Sequence, residues 1–306
     1  MMGMMGKLLV AASALALASC GGGSGSGVAS TPRAPVAPTP EPAPAPAPTQ
    51  AELDNIMETS STKDIEFDAA GYYLDNSGKL VEGEFKVSYD ASAKTYRIEL
   101  PDHSPGNYQG FQMNDEWRSG GVNVGTSEGV GIQFKTMPDS SWCPCSTIAL
   151  YSDSDYDDYG AFAIGVRALP SQVLPHGSAH FALDLAGVTE DPYYDLVFGN
   201  GDMYFDVTEG TLTGHLAPQL LSTGGAGDLI PLGTYDFVNT VYSFGSVDFS
   251  GKLRNDANGL TGVFSGFFSG AGINVMGNWQ ADFRNPDNGN TYKMGGGFVG
   301  FDISGP

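Results

Sequence analysis

Short runs of alternating apolar and polar residues, separated by turn sequences, cover most of the chain from Ile65 onward. Alternation with a period of two is typical of strands that bury one face. The turn sequences are rich in Gly, Asn, Asp and Pro, and they include Asp75–Gly78, Asn255–Gly259 and Pro286–Gly289. This pattern predicts an all-β, antiparallel fold.

The second half of the chain shows the pattern most regularly and predicts eight consecutive strands joined by short loops. Eight such strands predict a C-terminal antiparallel up-and-down barrel, whose lumen is filled by side chains or holds one small ligand. Many of the 43 glycines lie inside these strands, as expected for a narrow, curved barrel. The predicted strands are His180 to Gly187, Asp202 to Val207, Thr211 to Leu216, Thr234 to Thr240, Tyr242 to Leu253, Leu260 to Phe268, Gly277 to Phe283 and Thr291 to Phe301.

The first half is less regular and predicts a smaller, handle-like β-sheet packed on the barrel. We expect the domain boundary near Leu169 to Gly177, which gives a handle-like domain at 51–170 and a barrel domain at 171–306. The predicted handle strands are Glu66 to Tyr73, Gly83 to Tyr89, Thr95 to Leu100, Val130 to Phe134, Ser146 to Ser152 and Ala161 to Val166.

The first fifty residues have the composition of a targeting signal and a tether. A cationic start and a short apolar run lead to Leu17-Ala18-Ser19-Cys20, which predicts a lipoprotein signal peptide at 1–19 and lipidation of Cys20. An ordinary signal peptide with a chance cysteine is the alternative. Residues 20–50 are rich in Gly and Ser and then in Pro, as is typical of an extended tether, and the capping-box sequence Thr49–Glu52 predicts a short helix at its end. We therefore expect a lipid anchor to hold the mature chain on a membrane.

The charge balance excludes some classes of partner. The chain carries 14 Lys and Arg against 35 Asp and Glu, a formal net charge of −21 at pH 7. Such a surface repels phosphate backbones and anionic lipid headgroups, so nucleic acid is excluded as a partner. A basic partner or cations are favoured instead, and the alternative is that the acidity is the common composition of a secreted, soluble surface.

An acidic, tyrosine-rich stretch is the candidate loop for contact with such a partner. Its carboxylates alternate as at the start of a calcium loop, but Asp158 stands where the sharp turn needs Gly and Ile164 stands where a bidentate Glu is needed. A solvated acidic loop is therefore favoured over a calcium site. Tyr gives contact area at low entropic cost, so the expected contact residues are Tyr151, Asp153, Asp155, Tyr156, Asp157, Asp158 and Tyr159.

Two of the three cysteines, Cys143 and Cys145, flank a proline. An exported chain meets oxidising conditions, which favours a disulfide. A bridge between residues two apart needs a bend that brings their Cα atoms within about 6.8 Å, and Pro144 assists such a bend. Free or intermolecular thiols are the alternative, and a metal site is disfavoured because no His or second Cys pair stands nearby.

No motif in the folded part indicates catalysis. Gly295–Gly300 matches the dinucleotide-binding string, but no helix follows it. Neither the Gly-x-Ser-x-Gly motif nor the zincin motif occurs there. The histidines show no metal-ligand spacing. We therefore expect no catalytic residue, no metal and no cofactor. The histidines are His103, His176, His180 and His215.

The last predicted hairpins carry a family resemblance. The turn sequence Gly266–Gly270 and the strand sequence Val275–Trp279, with Leu232–Tyr235 and Gly295–Phe301, resemble the end of the barrel in the transferrin-binding protein B family. The resemblance covers Ala161–Asp302. It implies a surface lipoprotein with a handle-plus-barrel lobe, of which this chain has residues for one where transferrin-binding members have two. It assigns no binding residue to a position in this chain.

These observations lead to two hypotheses on function. The first is a non-enzymatic lipoprotein of the bacterial outer membrane, displayed on the cell surface, that binds a protein or small solute for uptake by a partner transporter. The second is a structural or assembly lipoprotein of the envelope with a filled barrel and no solute. A membrane-inserted barrel is disfavoured, because polar residues such as Asp248, Lys252, Asp282 and Lys293 are expected to face outward.

Overall fold

The computed structural model contains only β-strands and their connections in the residues that it describes. These are residues 64–93, 95–103, 106–109, 122–125, 131–134, 146–152, 159–173, 177–192, 196–221, 228–243, 245–270, 272 and 274–304. No helix among them is long and apolar enough to cross a bilayer.

The first nine strands form one curled antiparallel sheet, which we call the handle sheet. The strands follow one another in the order β5-β4-β3-β1-β9-β8-β7-β6, and β2 pairs with β1 beside this path. One face carries its own core, which includes Phe85, Tyr89, Ile98 and Phe162. The strands are β1 (Ile65–Leu74), β2 (Leu80–Glu82), β3 (Lys86–Asp90), β4 (Thr95–Glu99), β5 (Gly106–Gln109), β6 (Val122–Gly125), β7 (Gly131–Phe134), β8 (Ser146–Ser152) and β9 (Tyr159–Gly165).

The remaining strands form a closed eight-stranded barrel with one short additional strand. Each barrel strand pairs antiparallel with its neighbours, and the pairing of β10 with β18 closes the circle. The join between β12 and β14 is short, with two pairs, because β13 takes the far end of β12. The strands are β10 (Ser178–Thr189), β11 (Leu196–Asp206), β12 (Thr211–Leu221), β13 (Leu229–Pro231), β14 (Tyr235–Tyr242), β15 (Asp248–Asn255), β16 (Leu260–Ser269), β17 (Asn274–Arg284) and β18 (Thr291–Asp302).

Aromatic side chains fill the barrel interior. The ring of Phe205 lies 4.8 Å from that of Phe268, 5.1 Å from Tyr242, 5.2 Å from Phe249 and 5.8 Å from Phe181, measured between ring centroids. Inward glycines make room for these rings. A Cβ at Gly277 would lie 2.8 Å from the Phe298 ring, and a Cβ at Gly266 would lie equally close to the Phe249 ring. The interior therefore packs as a core of side chains.

The handle sheet packs directly on the barrel wall at the outward glycines of β18. A Cβ at Gly297 would lie 2.3 Å from the backbone nitrogen of Ala163 in β9, and a Cβ at Gly295 would approach Leu80 and Tyr72. Both positions are fully covered in the folded chain. The two sheets therefore meet backbone to backbone, and they belong to one compact unit of the chain.

The predicted fold class is confirmed, because the structure shows a closed antiparallel barrel and a separate β-sheet. Some strand limits differ. The strand predicted from Tyr242 to Leu253 is two strands, because the chain turns around Gly245, whose φ is +75°. Strand β11 starts at Leu196 instead of Asp202, because the Gly199-Asn200-Gly201 sequence lies within the strand.

Other predictions from the sequence stay predictions. The domain limits 51–170 and 171–306 are not tested by the packing of the two sheets. The signal peptide at 1–19, the tether at 20–50 and the short helix beginning near Thr49 lie outside the described residues.

We expect Gly297→Ala to destabilise the protein by about 1–3 kcal/mol, the usual cost of inserting a methyl group into a packed region. The added Cβ would collide with backbone atoms of Ala163 and Phe162, which cannot rotate away. The measurement is the urea dependence of unfolding. Thr261→Ala, at an exposed barrel position, is the control. Equal midpoints for the two variants would show that the sheets are not in close contact at Gly297.

Candidate functional site

A cleft of about 500 Å³ lies between β1 of the handle sheet and the outer wall of β15 and β16. Ser250 and Ser265 form part of the floor of the cleft, because the register of β15 and β16 makes them Cα partners and both face outward. The turn between β14 and β15 adds Ser243 and Ser246 at one end. Small hydroxyl side chains leave the space that larger outward residues would fill.

Arg167 is the cation of the cleft, and it ties the handle sheet to the barrel. Its Nη1 donates to Asp248 of the barrel, and its Nε lies 3.5 Å from Oδ1 of Asp68 in the handle sheet. Its backbone nitrogen donates to the other oxygen of Asp68 at 3.3 Å. The guanidinium carbon stands 4.0 Å from the ring centre of Phe267. The side chain is 40% exposed, so each ion pair contributes modestly.

Glu82 holds a defined position on the same cleft. Asn278 Nδ2 donates to Glu82 Oε1 at 2.7 Å, and Asn278 Oδ1 accepts a hydrogen bond from Ser265 at 2.8 Å. Asn278 is buried in the contact between the sheets. Its hydrogen bonds with Ser265 and Glu82 therefore orient the Glu82 carboxylate. The cleft thus carries three carboxylates, from Asp68, Glu82 and Asp248, against one guanidinium.

The negative charge of Glu82 also acts on a neighbouring tyrosine. Burial, with a smaller contribution from Glu82, raises the pKa of Tyr72 from 10.0 to about 12. Tyr72 packs with Leu80 and Val188 where the handle sheet meets the barrel. Its hydroxyl is therefore neutral at every physiological pH.

A second polar cluster lies elsewhere on the outer barrel wall. Nε2 of His180 lies 2.7 Å from one oxygen of Asp202, and Nε2 of His215 lies 3.8 Å from the other. The His180 ring stacks on Tyr204 at 3.9 Å, beside a smaller cavity of about 300 Å³. Within the described ranges, no group of three or more His, Cys, Asp or Glu residues could hold a metal ion.

The sequence pattern gave no sign of this cluster, because the two histidines are far apart in the chain. Strand register brings them together: Tyr204 is the Cα partner of His180, and His215 is the Cα partner of Asp202. Only a correct prediction of the hairpin registers would have revealed this cluster from the sequence.

The residues predicted for partner contact fall in two groups. Tyr151 is 2% exposed and packs among Phe85 and Phe162 inside the handle sheet. Tyr159 is partly buried against the cluster that contains Tyr72. The structure therefore assigns the Tyr151 side chain to the core and does not bring it to the cleft. The other predicted residues lie outside the described part and remain predictions. They are Cys20, Cys143, Cys145, Asp153, Asp155, Tyr156, Asp157 and Asp158.

The cleft residues were missed because they come from distant parts of the sequence. One signal was present: Arg167 is the single Lys or Arg in the sequence between Lys135 and Lys252. An isolated cation in an acidic chain favours a specific pairing, but sequence alone does not name its carboxylate partners.

Comparison with known proteins finds similarity in fold. No protein-family model and no curated protein sequence matches the chain. A transferrin-binding protein B variant from Haemophilus parasuis Hp5 is 13% identical over 78% of this chain and 45% of that chain, with a TM-score of 0.48. The isotype 1 transferrin-binding protein B from serogroup B Neisseria meningitidis is 13% identical over 78% of this chain and 44% of that chain, with a TM-score of 0.45.

A crystallised surface lipoprotein is 10% identical over 76% of this chain and 98% of its own length, with a TM-score of 0.39. The chain thus spans less than half the length of the two transferrin-binding protein B chains. The handle-plus-barrel fold that the resemblance implied is the fold that the structure of this chain shows. At these identities the resemblance does not extend to a ligand.

We expect Arg167→Gln to lower the free energy of unfolding by about 0.5–1 kcal/mol at low salt, because two partly exposed ion pairs are lost. The loss should shrink in 1 M NaCl, where such pairs are screened. Arg254→Gln, which removes an exposed pair with Asp256 within the barrel, is the matched control. A salt-independent loss would mean that Arg167 acts through packing and not through its charge.

We expect stability to fall as the pH rises from about 10 to about 12. The unfolded chain ionises its tyrosines near pH 10.0, whereas Tyr72 keeps its proton until about 12, so its contribution is complete below pH 10 and lost above the folded pKa. Tyr72→Phe should make this decline shallower, by up to about 3 kcal/mol across the window. Unfolding in urea at several pH values measures it, with exposed Tyr204→Phe as control. Identical pH profiles for the Tyr72→Phe and wild-type proteins would contradict the assignment.

Proposed function

We propose that the chain is a non-enzymatic lipoprotein of the bacterial outer membrane, displayed on the cell surface, that binds a protein or small solute in the cleft between the handle sheet and the barrel. The observation that carries the proposal is the cleft itself. It combines room for a ligand with fixed polar groups from both sheets, as binding sites usually do.

The packed barrel interior supports placing the ligand outside the barrel. Eight-stranded barrels either fill their lumen or hold one small ligand there. Here aromatic rings occupy the central space around Phe205 and Phe268. A ligand in the lumen would have to displace this core at a large cost, whereas the cleft is open to solvent.

Two sequence features support the location. The sequence Leu17-Ala18-Ser19-Cys20, which predicts lipidation of Cys20, is the basis for proposing a lipid anchor. The Pro-rich segment after it is long enough to hold a folded body away from the membrane. This arrangement suits a protein that captures a ligand in the cleft and delivers it to an outer-membrane transporter.

A structural or assembly role in the envelope is the second candidate, and the filled lumen favours it. A barrel that holds no solute needs no entrance, and Phe205, Phe268 and Phe298 are at most 1% exposed. In that case the cleft would be a seam between two sheets without an occupant.

We expect Cys20→Ser to abolish incorporation of radiolabelled palmitate and to release the protein from the membrane fraction. In intact cells, external protease should digest the lipidated protein, because the proposal places it on the surface. An abundant inner-facing envelope protein serves as the control for leakage. Recovery of the unaltered protein in the soluble periplasm, without lipid, would refute the proposed location.

We expect Ser265→Trp, which fills the floor of the cleft, to abolish capture of a partner from envelope extract or medium. Thr261→Trp is the matched control, since it lies outward and exposed on the same strand but away from the cleft. A partner retained by both variants would move the binding site elsewhere. Absence of any partner with the unaltered chain would favour the structural role.

A further inference from the structure

We infer that the cleft between the handle sheet and the barrel accepts a basic side chain, Lys or Arg, from the surface of a partner protein. This inference rests on the proposed function and names the chemistry that the cleft recognises.

The first support is a charge imbalance inside the cleft. Asp68 and Asp248 share the one guanidinium of Arg167. Glu82 accepts a hydrogen bond from the neutral amide of Asn278, and in the part of the chain that the structure describes no cation forms an ion pair with it. Three carboxylates against one cation leave two negative charges uncompensated. A ligand with positive charge gains free energy there, and an anion loses it.

The second support is that the cleft already holds a cationic group. The Arg167 guanidinium stands over Phe267, 4.0 Å from the ring centre, between carboxylates from the two sheets. An aromatic face flanked by carboxylates is an arrangement that binds guanidinium and ammonium groups. Arg167 is 40% exposed, so an incoming cation can compete with it for Asp248.

The third support is the shape and polarity of the opening. Val241 lines the cleft and is 63% exposed, whereas Glu82 and Asn278 line its other side. Lys and Arg combine an apolar stem with a charged head, so the stem can cover Val241 while the head reaches a carboxylate. A small inorganic cation would leave the valine exposed. These features favour a side chain of a protein over a metal ion or a small amine.

The test is binding of a hexa-arginine peptide to the full mature chain in detergent, measured by calorimetry at 0.15 M NaCl. We expect the combined variant Glu82→Gln and Asp248→Asn to weaken binding about five-fold, since two exposed charge contacts are lost. The control variant, Asp228→Asn and Asp256→Asn, removes the same charge at the opposite end of the barrel and should bind as the unaltered chain does. Thermal unfolding checks that every variant is folded.

We expect Arg167→Gln to change the affinity for the peptide in the opposite direction. Removal of the internal cation leaves Asp68 and Asp248 free for the peptide, so we expect affinity to rise about five-fold. Arg254→Gln changes the net charge equally but lies outside the cleft, and it should have no such effect. A general attraction between a basic peptide and an acidic protein would move both arginine variants alike.

Three outcomes would overturn the inference. They are an equal loss of affinity in the cleft and control carboxylate variants, no increase for Arg167→Gln, and binding of spermidine or arginine methyl ester as tight as that of the peptide. The result for Ser265→Trp shows whether only the inference of a basic ligand fails or whether the proposed binding function fails as well. If a captured partner is lost in Ser265→Trp while the peptide ignores the cleft, the binding function stands and the basic ligand is wrong.

Discussion

Backbone meets backbone where β9 of the handle sheet packs on β18 of the barrel, because Gly297 has no Cβ to hold the two sheets apart. This close approach fixes the position of everything beside it. It buries Asn278 between the sheets, and Asn278 in turn orients Glu82. It also brings Asp248 of the barrel within reach of Arg167, which the pairing of β1 with β9 holds beside Asp68. A polar site on the outside of the barrel thus depends on a contact made without side chains.

The fold was more accessible from the sequence than the site. Alternating residues such as those of Leu260–Ser269 indicate a strand with one buried face wherever it lies in the chain, so the class of fold and most strands were predictable. Local pattern failed where tertiary pairing overrides turn residues, as at Gly199 and Gly201 inside β11. The cleft could not be predicted, because Asp68 meets Arg167 only through the pairing of β1 with β9, and Asp248 meets it only once the sheets have packed. For the same reason the pairing of His180 and His215 with Asp202 was hidden.

Under the proposed function, the filled barrel provides stability and the open cleft provides recognition. Phe205, Phe268 and their neighbours supply the apolar burial, so the outer wall is free to carry serines and carboxylates that contribute little to folding. Substitutions of exposed residues in the proposed binding cleft therefore cost little stability, whereas substitutions in the lumen, or at the outward glycines under the handle sheet, disturb close packing. This separation suits a scaffold whose binding chemistry is set by its surface.

The pairing of β10 with β18 places the two ends of the barrel chain side by side. His180 donates its backbone N–H to Ser304, 124 residues away in sequence, and accepts a hydrogen bond from the backbone of Ile303. Strand pairing consequently continues around the whole barrel, and the order of strands around the barrel matters more than where the chain starts. In a barrel separated from the handle sheet, a cut in an exposed turn, with the old ends joined by a short linker, would preserve every strand pair of the barrel. The topology therefore makes the barrel suitable for circular permutation.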